Sequence, residues 1–199
     1  MTTAAVGKRE RTKAANREAI LVAARRVFSD IGYGAASVRD IVRETDLATG
    51  TFYNYFPDKE SVLRALVGEI TVEARARVRT ARMGATTLEE FVSRGFRAYF
   101  EFLAEDPDTV ALMRRNSGTI RTMFDEPALG AGIEELRADL EAAVAQGRIP
   151  SHDAELMAMA MVGAGVEIGL HMVERDPPDV ERAVSFVTDV FLGAFERIG

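Results

Sequence analysis

The stretch at residues 37–60, SVRDIVRETDLATGTFYNYFPDKE, contains two short helical patterns separated by a gap that has room only for a turn. Ser37 and Asp40 have the spacing of a capping box, which predicts that the first helix begins directly after the serine. The second helix is predicted from Thr49 to Tyr55, and Pro57 ends it. Two short helices joined by a tight turn form a helix-turn-helix, a motif whose second helix enters the DNA major groove.

The second of these helices carries a high density of aromatic residues. Phe52 and Phe56 are four residues apart and therefore share a face, which indicates that both belong to the core. Tyr53 lies off that face, and its hydroxyl can serve a phosphate oxygen of DNA. The remaining side chains form a polar edge that suits bases and phosphates, although an ordinary solvated helix face has the same composition. This polar edge consists of Thr49, Thr51, Asn54 and Tyr55.

The sequence TGTFYNYFPDKE is similar to the recognition-helix signature of the tetracycline-repressor (TetR) family of transcriptional regulators. The preceding FSDIGYGAASVRDIV matches the first two helices of that family, so the resemblance covers residues 15–70. Ala48 and Thr49 depart from the pattern, because the family usually has a serine at the first position and often a lysine at the second. The resemblance implies DNA contacts from Ser37, Arg39, Thr49, Gly50, Thr51, Tyr53, Asn54, Tyr55 and Lys59.

The charge of the chain is unevenly distributed. The net charge is −6, yet residues 1–59 hold ten Lys and Arg against seven Asp and Glu, so the remainder carries −9. A basic head on an acidic body suits a DNA contact confined to one end of the chain. Residues 1–14 are predicted to form a polar, basic arm that reaches phosphates or the minor groove, with a solvated tail as the alternative.

Several functional classes find no support in the composition. The absence of cysteine excludes disulfides and thiol nucleophiles. We see no apolar run of the roughly 18 residues that span a bilayer and no signal peptide, which predicts a cytoplasmic protein without a membrane partner. The two histidines, His152 and His171, have no triad partner or metal-ligand cluster nearby in sequence. We therefore expect no catalytic residue, no metal site and no cofactor, and no enzyme activity.

The remaining helical patterns predict an all-α fold, with a helix-turn-helix domain at residues 1–57 and a ligand-binding and dimerisation domain at residues 58–199. The segment AELMAMAMVGAGVEIGLHM is apolar nearly all round and should be buried on nearly all sides. We interpret it, with the final helix, as half of a four-helix homodimer interface over about 153–197, where the TetR family also dimerises. Gly163, Ala164 and Gly165 would allow close approach of helix backbones, and Val184, Val187, Val190, Phe191 and Phe195 would supply the apolar face of the last helix.

The second half of the chain is rich in methionine and aromatic residues. Such side chains usually form core, but flexible methionines also suit an adaptable pocket for apolar ligands. Residues 96–124 are similar to the body of TetR-type regulators of unsaturated fatty-acid synthesis, which sense acyl-CoA. This resemblance implies that Arg114 and Arg115 hold the thioester's phosphates, the alternative being two exposed arginines. The candidate ligand-binding residues are Phe96, Tyr99, Phe100, Met113, Arg114, Arg115, Phe124 and Met161.

The sequence therefore predicts a regulator, of the repressor type, that binds a palindromic DNA operator as a homodimer and responds to a small hydrophobic effector such as long-chain acyl-CoA. One alternative is a multidrug-type sensor of hydrophobic drugs that controls an efflux gene. Another is a helical ligand-binding dimer without DNA binding, for which Ala48, Thr49 and the acidic total charge argue.

Overall fold

The structure of the protein is a computed structural model that describes residues 7–123 and 127–198. Over these residues it is helical without strands, which confirms the predicted all-α class. The helices are α1 Lys8–Asp30, α2 Val38–Arg43, α3 Thr49–Tyr53, α4 Lys59–Arg82, α5 Leu88–Glu105, α6 Pro107–Arg115, α7 Ser117–Met123, α8 Pro127–Ala145, α9 Ala154–Met172 and α10 Val180–Ile198.

The chain divides into two compact units. The first, called the head here, comprises residues up to 68 together with 111–122, and the second, the body, comprises 69–110 and the residues from 123 onward. The boundary predicted at residue 57 differs from this division, because the head also takes the first part of α4 and a segment from the middle of the chain. That segment contains the end of α6 and most of α7.

The segment 111–122 belongs to the head because it caps the C-terminal end of α1. The last carbonyls of a helix have no partner inside the helix and need a donor from elsewhere. The amide of Asn116 donates to the carbonyls of Phe28 (3.0 Å) and Leu112 (2.8 Å), and its oxygen accepts from the backbone N–H of Tyr33 at 2.6 Å. Asn116 is buried, so these bonds are formed out of contact with water.

Helix α1 begins earlier than predicted. Its first residue is Lys8, so residues 8–14 of the predicted basic arm are helical, while residues 1–6 lie outside the described part of the chain. The reason is local, because KRERTKAANRE holds good helix formers and no glycine or proline. The stretch is exposed, whereas the buried face of the helix begins at Ile20.

The body is built around α5, α9 and α10, with α8 packed against α9. Its core contains the ring stack of Phe96 on Phe191, whose centroids lie 5.6 Å apart with an interplanar angle of 14°. Glycines allow α9 to approach α5 closely, because a Cβ at Gly165 would lie 3.1 Å from the ring of Phe96 and one at Gly169 would lie 2.6 Å from Leu103. The predicted apolar face of α10 packs here, except that Val190 is exposed.

Helix α9 is long and apolar enough, by length and composition alone, to cross a membrane, which the sequence analysis did not anticipate. Met157, Met161 and Met172 are buried in the body core, as in the core helix of a globular unit. The helix was predicted to be buried on nearly all sides. The structure instead buries one face and leaves Leu156 and Met159 exposed on another.

Candidate nucleic-acid interface and ligand cavity

The capping box that opens α2 is present as predicted. The Ser37 hydroxyl donates to an Asp40 carboxylate oxygen at 2.5 Å and accepts from the Asp40 backbone N–H at 3.3 Å. The hydrogen bonds that the Ser37 hydroxyl and the Ser37 backbone N–H donate to the Asp40 carboxylate are the main reason that the pKa of Asp40 lies below its usual range, with the nearby Arg43 adding to the effect. The hydroxyl that was expected to contact DNA is therefore already engaged in ordering the start of the helix.

Helix α3 is short and is capped by backbone alone. It runs over five residues and ends at Tyr53, two residues before the predicted end, with Asn54 as its C-cap. Ala48 provides no side-chain cap, which agrees with its departure from the family pattern. The Ala48 carbonyl accepts from the N–H of Thr51 at 2.8 Å instead.

The two faces of α3 separate as the aromatic spacing predicted. Phe52 is fully buried, and its ring lies 6.2 Å from that of the buried Phe56. Tyr53 is 54% exposed and contacts the Phe52 ring edge-on at 5.4 Å. The outward side chains of α2 and α3, which we call the recognition surface, are exposed or half-buried and comprise Ser37, Arg39, Thr49, Gly50, Thr51, Tyr53, Asn54 and Tyr55. This surface presents hydroxyl, amide and guanidinium groups, the types that contact phosphates and base edges.

Lys59 forms hydrogen bonds within the head that were not predicted from the sequence. Its ammonium donates to the carbonyls of Tyr33 at 2.7 Å and Ala36 at 2.8 Å, and it lies 4.4 Å from the centroid of the Tyr33 ring. A lysine has three N–H donors, so one remains for a phosphate. The DNA contact expected of Lys59 stays a prediction, and the two hydrogen bonds connect the α1–α2 loop to the start of α4.

The predicted ligand-binding residues do not form one set. Phe96, Phe100 and Met161 are buried in the body core, and Tyr99 packs against that core. Burial raises the pKa of Tyr99 to about 12. The structure brings these four together, but as closely packed rings and side chains.

The arginine pair expected to hold phosphates lies in the other unit, with Met113. The Arg115 guanidinium donates to the carbonyl of Asp30 at 2.6 Å, so Arg115 caps the end of α1 beside Asn116. A cation at a helix C-terminus is stabilised by the helix dipole, and the phosphate contact expected of Arg115 stays a prediction. Arg114 is exposed, and Phe124 lies outside the described residues.

A cavity of about 480 Å³ opens in the body where α4 ends, α5 begins and α8 ends. We call it the arginine cavity. Gly84 and Gly147, with φ of +78° and +65°, end α4 and α8 in the left-handed conformation that glycine adopts most readily. The lining of the arginine cavity comprises Arg79, Arg82, Met83, Ala85, Thr86, Thr87, Leu88, Phe91, Asp139, Leu140, Ala142, Ala143, Arg148 and Ile149.

This cavity was not predicted from the sequence. The helix breaks at Gly84 and Gly147 were the available signal, but periodicity does not reveal that two breaks distant in sequence meet in space. Arginines near helix ends also have an ordinary explanation as solvated, dipole-compensating residues.

Comparison with known proteins identifies one family that the chain resembles. Residues 20–66 match the model for bacterial regulatory proteins of the tetR family. The chain is therefore similar to TetR-family transcriptional regulators. An HTH-type transcriptional repressor of Mycobacterium tuberculosis is 29% identical over 130 residues, which cover 65% of this chain and 63%, less than two thirds, of that protein. Regulators of this family are not enzymes.

Two solved structures resemble most of the chain. The fatty acid degradation regulator FadR of Bacillus halodurans matches with a TM-score of 0.75 and 24% identity, covering 88% of this chain and 93% of that one. The FadR regulator of Bacillus subtilis in complex with stearoyl-CoA matches with a TM-score of 0.74 and 23% identity, covering 87% and 96%. At this identity the likeness establishes the fold of both units.

Proposed function

We propose that this protein is a TetR-family regulator that binds a palindromic DNA operator as a homodimer through the recognition surface. The observation that supports this most is the division of α3 into a buried apolar face, marked by Phe52, and an exposed polar face, marked by Tyr53 and Asn54. A helix held in this way offers its polar side chains to a major groove without unpacking the head. This proposed function implies a cytoplasmic protein.

Dimerisation is supported by an exposed apolar stripe on the last two helices. On α9 the stripe follows Leu156, Met159 and Gly163, and on α10 it follows Phe186 and Val190. These residues recur three or four positions apart, so each set lies on one helix face. Contiguous apolar surface of this kind marks a protein interface, and a second copy of the chain is the partner that a two-fold operator requires.

We further propose that the body binds a small hydrophobic effector and that a long-chain acyl-CoA is the first candidate. The support is the sequence resemblance over residues 96–124, together with the fold shared with a FadR regulator solved with stearoyl-CoA. An effector changes operator affinity only if it binds the DNA-competent and DNA-incompetent states differently. We propose release of DNA on binding, which makes the protein a repressor, as the relative from Mycobacterium tuberculosis is named.

The test is a gel shift on the DNA upstream of the protein's own gene, titrated with salt and compared with a scrambled fragment. Arg39→Ala is expected to weaken binding to all sequences and to reduce the salt slope by about one, because it removes one exposed cation. Asn54→Ala is expected to lower the preference for the specific fragment. Arg175→Ala, an exposed arginine between α9 and α10, is the matched control.

If the protein binds the specific and scrambled fragments equally, the hypothesis of operator binding is rejected in favour of a ligand-binding dimer. Lys59→Ala is a poor probe, because it also breaks two hydrogen bonds inside the head. If a cationic hydrophobic drug releases the operator and palmitoyl-CoA does not, the protein is a multidrug-type sensor instead.

A further inference from the structure

Arg82 is the side chain that distinguishes the arginine cavity from an ordinary surface hollow. Its guanidinium carbon lies 4.5 Å from the centroid of the Phe91 ring, within range of a cation–π contact. A Cβ at Gly95 would lie 2.5 Å from Nε and 2.9 Å from an Nη of the same guanidinium. The side chain is therefore held between an aromatic ring and a helix backbone that has no side chain at the point of contact.

Arg82 is half-buried, its Nε is shielded from solvent, and its charge has no ion-pair partner among the described residues. Its Nε has no solvent contact and no hydrogen-bond acceptor among the described residues. Asp139 is the acid that acts on it electrostatically, but no carboxylate in the described ranges lies within ion-pairing distance. Burial lowers the pKa of Arg82 to about 10, so the guanidinium remains charged at neutral pH.

Holding a partly desolvated charge in this position costs free energy. Removing a cation from water is costly unless an anion or several acceptors compensate it. Methionine or leucine would fill the same space without that cost. A guanidinium held between the Phe91 ring and the backbone at Gly95 is also a preorganised donor, since its position is fixed before any ligand arrives.

The rest of the lining fits a ligand with two different ends. Arg148 is exposed and has no side-chain partner among the described residues, while Arg79 lies 4.0 Å from Glu135. Three arginines thus face a single acid, Asp139, in the lining. The apolar wall consists of Leu88, Phe91, Leu140 and Ile149. The volume falls within the range of small-molecule sites, about 300–1,000 Å³.

We propose that the arginine cavity binds a small amphipathic anion, in which a carboxylate or phosphate contacts Arg82 and Arg148 while an apolar chain or ring lies on the leucine and isoleucine wall. The proposal rests on the proposed function in one respect, because the bound anion is taken to be the effector. It moves recognition of the anionic group from Arg114 and Arg115 in the head to Arg82 and Arg148 in the body.

Calorimetric titration of the full chain without DNA tests the site, with octanoate, octyl phosphate and octanol as probes of equal chain length. At least one anion is expected to bind roughly ten- to hundredfold more tightly than the alcohol, as a charge-assisted contact requires. The stronger of the two anions identifies the head group. Arg82→Met is expected to abolish this preference while leaving octanol binding unchanged. Arg175→Met is the matched control, because Arg175 is exposed and does not line the cavity.

Arg148→Met serves as the second variant, since its exposed side chain can be removed without disturbing the core. It is expected to weaken anion binding about tenfold if one charged contact is lost. Thermal unfolding gives an independent readout, because the anion should raise the melting temperature of the wild type and not that of Arg82→Met.

Octanol that binds as tightly as both anions would overturn the proposal, as would unchanged anion affinity in the two methionine variants. The operator gel shift tests the effector role and the proposed function separately from binding to the cavity. An anion that binds the cavity but leaves operator affinity unchanged overturns its role as effector and supports the site. A ligand-free protein that does not bind its operator overturns the proposed function, whatever the calorimetry shows.

Discussion

The recognition surface of the head and the arginine cavity of the body are both polar sites on helices, but they are built in different ways. The recognition surface comes from one continuous stretch, residues 37–55, and its orientation follows from the burial of Phe52. The arginine cavity is assembled from three chain segments, around residues 79–91, 139–143 and 148–149. The first site can be predicted from helical spacing, whereas the second depends on which helix ends meet in space.

The largest effect is expected from two substitutions that test whether the buried and exposed faces of α3 contribute independently to stability and to operator binding. Phe52→Ala removes a fully buried ring and should reduce the free energy of unfolding by about 3–5 kcal/mol. Tyr53→Ala, the neighbouring residue on the exposed face, should change it by no more than about 0.5 kcal/mol while weakening operator binding. Denaturant titration and gel shifts on both variants provide the measurement. Equal losses of stability would show that Tyr53 belongs to the core.

The second prediction concerns the hydrogen bonds that make residues 111–122 part of the head. Asn116→Ala leaves the carbonyl of Phe28 and the N–H of Tyr33 without their partner, at a cost of about 1–3 kcal/mol for each group that stays unsatisfied. Ser117→Ala, at an exposed position, is the control. Hydrogen exchange at the end of α1 should accelerate in the first variant alone. Unchanged exchange would mean that this end of the helix is stable without its cap.

Two glycines of α9 separate the proposed dimer face from the core of the body. Gly163 has open space where a side chain would extend, whereas a Cβ at Gly165 would press on Phe96. Gly163→Leu should leave the fold intact and raise the dimer dissociation constant at least about tenfold, a loss of about 1.4 kcal/mol. Gly165→Leu should overpack the core and lower stability by about 1–3 kcal/mol.

Sedimentation and thermal unfolding distinguish these outcomes. A dimer unaffected by Gly163→Leu would place the interface elsewhere on the body. The sequence predicted the same role for both glycines, because their spacing alone does not show that they lie on different faces of the packed helix.

The smallest expected effect is the pH dependence of the α2 capping box. Because hydrogen bonds from Ser37 depress the pKa of Asp40 in the folded protein, its ionised form favours folding. That contribution is fully present above the unfolded pKa of about 4 and is lost as the pH falls through the lower, folded value. Asp40→Asn should therefore be less stable than the wild type at neutral pH, and the gap should close in acid. A gap that persists at low pH would point to a cause other than the carboxylate's charge.

These contrasts show how much of the molecule could be predicted from its sequence. The spacing of Ser37 and Asp40 predicted a capping box, and that of Phe52 and Phe56 predicted a buried face, because these contacts join residues three or four apart. The hydrogen bonds of Lys59 and Arg115 could not be predicted, because their acceptors, the carbonyls of Ala36 and Asp30, lie 23 and 85 residues away. No local pattern distinguishes a cation that reaches a phosphate from one that reaches a distant backbone carbonyl.

The placement of residues 111–122 in the head has a consequence for how such proteins can be recombined. A chimaera joined at residue 57 or 68 would receive α1 from one parent and its capping asparagine from the other. The transferable DNA-reading module is therefore discontinuous and consists of the N-terminal stretch plus a short insert about 40 residues further on. Exchanges that carry both pieces keep the donor that caps the carbonyls of α1. A single crossover instead combines α1 from one parent with a segment 111–122 from the other parent.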